Sequence, residues 1–173
     1  MKTLNYLAYG SNLHPQRLAA RVPSARPLGV VPLHGRRLSF HKRGRDLSGK
    51  CLLYLTQNPC DVVFGVLYEI AQTEKVQLDR VEGAGRGYDE ERLDVSVGGK
   101  RYASFLYAAS ASHIDRSLSP FHWYKRLVVA GARHHRLPQA YIAALEAVRA
   151  VSDADHKRVR EQEALLARME RTG

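Results

Sequence analysis

The chain has 173 residues, of which 45% are hydrophobic, and this size suits one compact domain with a single core. Lysine and arginine number 27 against 17 aspartate and glutamate residues, so the formal net charge is +10. We expect neither a signal peptide nor a membrane span, because no apolar stretch approaches the ~20 residues that cross a bilayer. The two cysteines, Cys51 and Cys60, are too few for a disulfide scaffold. We therefore expect a cytoplasmic protein with reduced cysteines.

The first part of the chain predicts strands separated by turns rich in proline and glycine. The runs of apolar residues predict five strands, at 4–9, 28–31, 37–41, 51–56 and 61–70. Pro15 stands where the first turn of a short helix begins, with Ser11 or Asn12 as a candidate cap. Gly65, inside the last of these strands, indicates a bulge or a close backbone approach.

The second part of the chain predicts a hairpin followed by helices. Thr73 is placed to cap a helix over 74–81, and strands at 88–97 and 101–109 are joined across Gly98-Gly99, a favoured two-residue turn. Three helices follow, the first over about 121–134 after a Ser119 cap, the second from Pro138 and the third after an Asp153 cap. This order predicts an α+β fold, a small mixed-sheet barrel with flanking helices.

One candidate site directly follows the first strand. Tyr9-Gly10-Ser11-Asn12 combines a glycine with small polar residues, and such a segment exposes backbone N–H groups that suit a carboxylate or an oxyanion. The alternative is a tight turn in which Ser11 or Asn12 caps the next helix.

A second candidate is Glu82, which follows apolar Val81 and precedes the glycine-dense loop 83–87. The helix dipole and desolvation at this position disfavour an ionised carboxyl, which suits a general base near neutral pH. The alternative is an exposed glutamate that ends a helix, with Gly83 as the C-cap.

Aromatic residues cluster at 121–124, where they indicate core packing or, for Tyr124, a hydroxyl directed into a pocket. His134-His135 is a poor candidate metal site, because adjacent side chains on a helix point apart. The sequence contains no metal-ligand motif, phosphate loop or nucleophile elbow.

In this order, the segments resemble the gamma-glutamylcyclotransferase family. The residues that carry the resemblance are Tyr6-Leu7-Ala8-Tyr9-Gly10-Ser11-Asn12-Leu13, Leu78 to Gly83, Gly87-Tyr88, Ser119-Pro120, Tyr124-Lys125, Gly131-Ala132-Arg133, Leu137-Pro138 and Tyr141. Glutathione-specific members tend to have leucine where this chain has Asn12, so the resemblance favours the branch that acts on gamma-glutamyl amino acids.

The resemblance implies a cyclotransferase that converts a gamma-glutamyl amine or amino acid to 5-oxoproline and a free amine, without a cofactor or metal. It implies Glu82 as the general acid/base, and it implies substrate binding by Tyr6, Leu7, Ala8, Tyr9, Gly10, Ser11 and Tyr124. Residues 1–150 are the expected catalytic domain, and 151–173 are an expected charged helix appended to it. We expect a monomer or homodimer, and neither a membrane nor a nucleic acid as partner.

Three alternatives remain at this point. The chain can be a catalytically silent protein that binds a gamma-glutamyl ligand, or it can remove a protecting gamma-glutamyl group in a biosynthetic pathway. It can also associate with nucleic acid through the basic clusters at 36–45 and 125–136, which requires both clusters on one face and binding that weakens steeply with salt.

Overall fold

The computed structural model describes residues 2–171, which form seven strands, five α-helices and two short 3₁₀ turns. The elements in chain order are β1 (Thr3–Ala8), α1 (Pro15–Ala19), β2 (Arg26–His34), β3 (Arg36–Arg43), β4 (Gly49–Leu55), β5 (Val62–Ala71), α2 (Lys75–Glu82), β6 (Tyr88–Val97), β7 (Lys100–Ala109), α3 (His122–His134), α4 (Gln139–Ala147) and α5 (His156–Glu170). The 3₁₀ turns are Gln72–Glu74 and Ala111–His113. Within the described range, every helix is too short or too polar to cross a membrane.

Five strands form one mixed sheet in the order β2-β5-β1-β7-β6, and β3 pairs with β4 in a separate two-stranded sheet. The β1–β7 pairing is parallel, whereas the other pairings are antiparallel. The large sheet curls until its two edge strands, β2 and β6, come into contact. A methyl group built on Gly29 in β2 would lie only 2.5 Å from Val97 Cγ1 in β6. The predicted α+β class, with a curled mixed sheet and flanking helices, is confirmed.

The strand predictions are confirmed to within a few residues at their ends. The hairpin of β6 and β7 turns at Gly98 and Gly99, whose φ angles of 57° and 79° lie in the left-handed region that glycine tolerates. Gly65 marks a close approach and not a bulge, because its pairing register is regular and an added methyl would lie 3.0 Å from the Ala8 carbonyl oxygen.

Two predicted helix caps in the first half of the chain are wrong. Neither Ser11 nor Asn12 caps α1, because the His14 side chain accepts the Gln16 N–H at 3.2 Å. Thr73 does not cap α2, because it lies inside the 3₁₀ turn that precedes this helix.

The two caps predicted in the second half are also wrong. α3 begins after Phe121 without a side-chain cap, and the Ser119 carbonyl instead accepts the Gly49 N–H at 2.9 Å. Asp155 caps α5 by accepting the Arg158 N–H at 3.0 Å, which leaves Asp153 to accept hydrogen bonds from the Arg158 guanidinium.

Candidate active site

The loop after β1 is held in place from behind by α3 and β5. The Leu13 carbonyl accepts a hydrogen bond from the Tyr68 hydroxyl at 2.6 Å and lies 2.9 Å from His135 Nε2. Gly131 in α3 allows this contact, because a methyl at that position would lie 2.4 Å from Leu13 Cβ and 2.8 Å from the His14 nitrogen. The loop is therefore fixed by packing against a helix that follows it by more than a hundred residues.

The front of this loop borders a small recess of about 30 Å³. The segment 10–12, Cys51 and Glu82 line the recess together with five tyrosines, which are Tyr6, Tyr9, Tyr88, Tyr107 and Tyr124. The structure thus brings six of the predicted site residues together. Leu7 and Ala8 are fully buried in the core and do not reach the recess.

Glu82, at the end of α2, is held through one of its two carboxylate oxygens. Asn12 Nδ2 and an Arg21 guanidinium nitrogen donate to Glu82 Oε1 at 2.8 Å and 2.9 Å. Arg21 also donates to Asn12 Oδ1 at 2.8 Å, and Asn12 donates to the Tyr6 hydroxyl at 3.1 Å. Within residues 2–171 no hydrogen bond reaches Glu82 Oε2, so this oxygen is available to a ligand.

Gly83 ends α2 in the left-handed conformation, with φ 75° and ψ 42°, and its N–H donates to the Asp79 carbonyl at 2.9 Å. The two interpretations of this segment are therefore compatible. The glycine caps the helix, and the preceding glutamate faces the recess.

Gly10 and Tyr124 meet at Cys51. The Cys51 backbone N–H donates to the Tyr124 hydroxyl at 3.1 Å, and the Cys51 carbonyl accepts from the Tyr88 hydroxyl at 3.0 Å. A methyl on Gly10 would lie 3.1 Å from Cys51 Cβ, so the absence of a side chain there lets the loop approach β4. No hydrogen bond within the described range uses the N–H of Gly10 or Ser11.

The recess keeps its tyrosines protonated. Burial raises the pKa of Tyr9, Tyr88 and Tyr124 well above the usual value, and the nearby Glu82 charge adds to the effect. A protonated Tyr124 hydroxyl can donate its own hydrogen to a bound group while it accepts the Cys51 N–H.

The recess opens into an outer cleft of about 510 Å³ that is strongly basic. Its cationic side chains are Arg17, Arg21, Lys42, Arg43, Arg45, Lys50 and Arg86. Among residues 2–171, Asp46 and Glu82 alone contribute carboxylates to the same cleft. Trp123 of α3 and Gln162 of α5 also line the cleft.

The two basic clusters of the sequence have different surroundings. From the first, Lys42, Arg43 and Arg45 line the outer cleft, whereas Arg36 pairs with Glu91 and Arg37 with Asp61. In the second, Arg126 and Arg133 form ion pairs with glutamates, and Lys125 donates to two backbone carbonyls.

Sequence reasoning missed Arg21 and the side-chain role of Asn12. Arg21 follows α1 in an irregular segment, and its partner Glu82 is 61 residues away. The one available signal was a cation shortly after the Tyr-Gly-Ser-Asn segment.

For metals, no group of three or more histidine, cysteine, aspartate or glutamate side chains within residues 2–171 is arranged to hold an ion.

Comparisons with known proteins agree with the fold. A model of the AIG2-like family matches residues 62–145. The gamma-glutamylcyclotransferase of Mus musculus is 31% identical over 152 residues, which cover 85% of this chain and 79% of that protein. The Homo sapiens gamma-glutamylcyclotransferase is 29% identical over 147 residues, which cover 83% and 77%. A solved structure of a gamma-glutamyl cyclotransferase matches with a TM-score of 0.82 and 26% identity, over 96% of this chain and 99% of that one. The chain belongs to the gamma-glutamylcyclotransferase family of enzymes.

Proposed function

We propose that this protein converts a gamma-glutamyl amine or gamma-glutamyl amino acid to 5-oxoproline and releases the free amine. The observation that carries the proposal is the carboxylate of Glu82 in the tyrosine-lined recess, fixed through Oε1 and open at Oε2. Family membership supports the reaction class, and the geometry supports the assignment of roles.

The reaction is an intramolecular acyl transfer. The α-amine of the glutamyl group attacks the γ-carbonyl carbon, the new C–N bond closes a five-membered ring, and the carbonyl electron pair moves to oxygen. The tetrahedral intermediate then collapses, the bond to the leaving amine breaks, and the lactam carbonyl re-forms. Holding the amine and the carbonyl together can contribute on the order of 10⁵ M or more in effective concentration.

Glu82 serves as the proton carrier in this scheme. Oε2 accepts one proton of the α-ammonium group, which frees the amine lone pair for attack, and donates it to the leaving nitrogen as the C–N bond breaks. The ring nitrogen then gives its second hydrogen to Oε2 as a proton, which passes to the released amine, so Glu82 ends as the carboxylate and the amine as an ammonium ion. Asn12 and Arg21 hold Oε1, so the carboxylate keeps one orientation through both proton transfers.

The loop after β1 and Tyr124 bind the rest of the glutamyl group. The N–H groups of Gly10 and Ser11 are free to donate to its α-carboxylate or to the developing oxyanion. The Tyr124 hydroxyl, held by Cys51, orients the group by a further hydrogen bond. Leu7 and Ala8 contribute from the core by fixing the end of β1.

We also propose how the chain is divided between the catalytic part and an appended segment. We assign the catalytic machinery to residues 1–150 and regard 151–173 as an appended segment of the same domain, of which the structure describes 151–171 with α5 at His156–Glu170. Packing supports this, because Leu166 and Met169 of α5 are buried and Gln162 reaches the outer cleft. Both cysteines are free, as suits the cytoplasm.

The test is the Glu82→Gln variant with gamma-glutamyl-alanine as substrate. Glutamine keeps the size of the side chain and an oxygen that can accept from Asn12 and Arg21, but it cannot carry the proton. We expect kcat for 5-oxoproline formation to fall by roughly 10²–10⁴-fold, which is the usual contribution of a general acid/base.

Glu161→Gln is the matched control, because Glu161 is exposed on α5 and does not line the cleft. It should retain wild-type activity. A folded Glu82→Gln variant that keeps activity within about tenfold of the control would rule out Glu82 as the acid/base.

A further inference from the structure

Both carboxylates of the outer cleft are already paired with cations of the same cleft. Lys50 Nζ lies 2.6 Å from Asp46 Oδ2, and Arg21 lies 2.9 Å from Glu82 Oε1. Five cationic side chains of the cleft have no ion pair within residues 2–171, namely Arg17, Lys42, Arg43, Arg45 and Arg86. The cleft therefore has a surplus of five positive charges beside the reacting centre.

Lys42 is the most unusual of these cations. Its side chain comes from β3, the residue is only 6% exposed, and Nζ lies 4.3 Å from the centre of the Tyr88 ring. Whereas its backbone pairs with β4 and Ile114, its ammonium group makes no hydrogen bond or ion pair with any residue in the described range. Burial lowers the pKa of Lys42, while the charge of Glu82 opposes this shift.

Gly87 provides the space for this ammonium group. A methyl at Gly87 would lie 3.1 Å from Lys42 Nζ and 2.8 Å from His113 Cδ2. The glycine loop after Glu82 thus has a second role besides capping α2, because it lets a lysine end at the wall of the cleft.

Arg17 presents a second buried cation from a different element, α1. The residue is 8% exposed, one guanidinium nitrogen donates to Gln162 Oε1 at 3.3 Å, and Nε has no hydrogen-bond partner within residues 2–171. A buried cation without an anion is costly, because it loses hydration without compensation. An anionic ligand in the cleft would offset this cost at both Arg17 and Lys42.

We propose that the outer cleft selects gamma-glutamyl substrates whose amine portion carries two negative charges, as an acidic amino acid does. The inference rests on the proposed function, since the gamma-glutamyl end must lie against Glu82 at the mouth of the recess. A neutral amino acid offers the cleft only its α-carboxylate, whereas a second carboxylate supplies an anion for each of the two buried cations. The volume of about 510 Å³ leaves room for such a side chain.

The experiment compares gamma-glutamyl-glutamate with gamma-glutamyl-glutamine, which differ by one charge at nearly equal size. We expect wild-type kcat/KM to favour the glutamate substrate by about tenfold or more at low salt, and we expect this preference to shrink as salt screens the charges. In Lys42→Met the glutamate-to-glutamine ratio should fall at least about threefold. The control Lys100→Met, at the start of β7 and away from the cleft, should keep the wild-type ratio.

The wild-type ratio of kcat/KM for the glutamate and glutamine substrates tests the charge selection even if Lys42→Met does not fold. A ratio near one or below, with gamma-glutamyl-alanine still cyclised, would overturn the charge selection and leave the proposed function intact. Failure to form 5-oxoproline from any of the three substrates would overturn both. Equal loss of the ratio in Lys42→Met and Lys100→Met would show that the preference does not arise in the cleft.

Discussion

The contact between α3 and the loop after β1 predicts that Gly131→Ala destabilises the protein. In an exposed helix interior the same substitution stabilises by ~0.8–1.0 kcal/mol, because alanine has the higher helix propensity. At Gly131 the new methyl would lie 2.4 Å from Leu13 Cβ, 2.8 Å from the His14 nitrogen and 3.1 Å from the Leu13 carbonyl carbon. Two of these atoms belong to the backbone, so no side-chain rotation relieves the overlap.

The sign of the net effect follows from these two contributions. Overpacking of a core costs ~1–3 kcal/mol, and backbone contacts as short as these lie at the upper end. After the gain in helix propensity, the free energy of unfolding should fall by roughly 1–2 kcal/mol. For a chain of this size that corresponds to a Tm lower by about 2–8 °C.

Thermal and urea unfolding of wild type and Gly131→Ala measure this change, with Ala143→Gly as the control. Ala143 is exposed in α4, so its replacement reports helix propensity alone and should cost ~1 kcal/mol. We also expect kcat/KM of Gly131→Ala to fall, because a shift of Leu13 moves the neighbouring Asn12 away from Glu82. An unchanged or raised Tm in Gly131→Ala would refute the packing described for this loop.

Three further predictions concern the recess, the turn before α5 and the cysteines. Tyr124→Phe leaves the buried Cys51 N–H without its acceptor, so unfolding free energy should fall by ~1–3 kcal/mol and kcat/KM should fall with it; wild-type values for both would contradict the role of this hydroxyl. The Arg158 hydrogen bond holds the pKa of Asp153 in the folded protein well below the usual ~3.9. The stability that ionised Asp153 contributes is therefore fully present above about pH 4 and is lost progressively as the pH falls below that value. Urea unfolding should therefore show a constant gap between wild type and Asp153→Asn from about pH 7 to 5 that narrows towards pH 3, whereas a gap independent of pH would contradict the pairing. Burial raises the pKa of the Cys51 thiol to about 12, so a thiol reagent at neutral pH should modify Cys60 alone in the native protein and both cysteines after unfolding.

The sequence was sufficient for the elements whose determinants are local. Gly98-Gly99 supplies the positive φ angles that the β6–β7 hairpin needs, and Pro15 supplies the fixed φ of a first helical turn. Glu82 and the segment 9–11 were predicted as site residues from their types and order along the chain, and the structure places them around one recess.

Long-range partners could not be found in this way. Arg21 binds Glu82 because the fold brings the end of α1 close to the end of α2, and no spacing rule connects two residues 61 positions apart. The cap errors have a related cause. Ser119 and Asp153 are good capping types, but α3 and α5 have their N-caps two residues further along, at Phe121 and Asp155. The Asp153 carboxylate instead accepts from Arg158.

The central claim is that the substrate's own α-amine attacks the γ-carbonyl carbon, and the identity of this nucleophile can be measured directly. Gamma-glutamyl-alanine should be incubated with the enzyme in ¹⁸O-labelled water, and the products analysed by mass spectrometry. Cyclisation by the substrate's own amine predicts 5-oxoproline and alanine in equal amounts, with no ¹⁸O in the 5-oxoproline. Glutamate that carries ¹⁸O in its γ-carboxylate as the main product would show that water is the nucleophile, and it would contradict the mechanism.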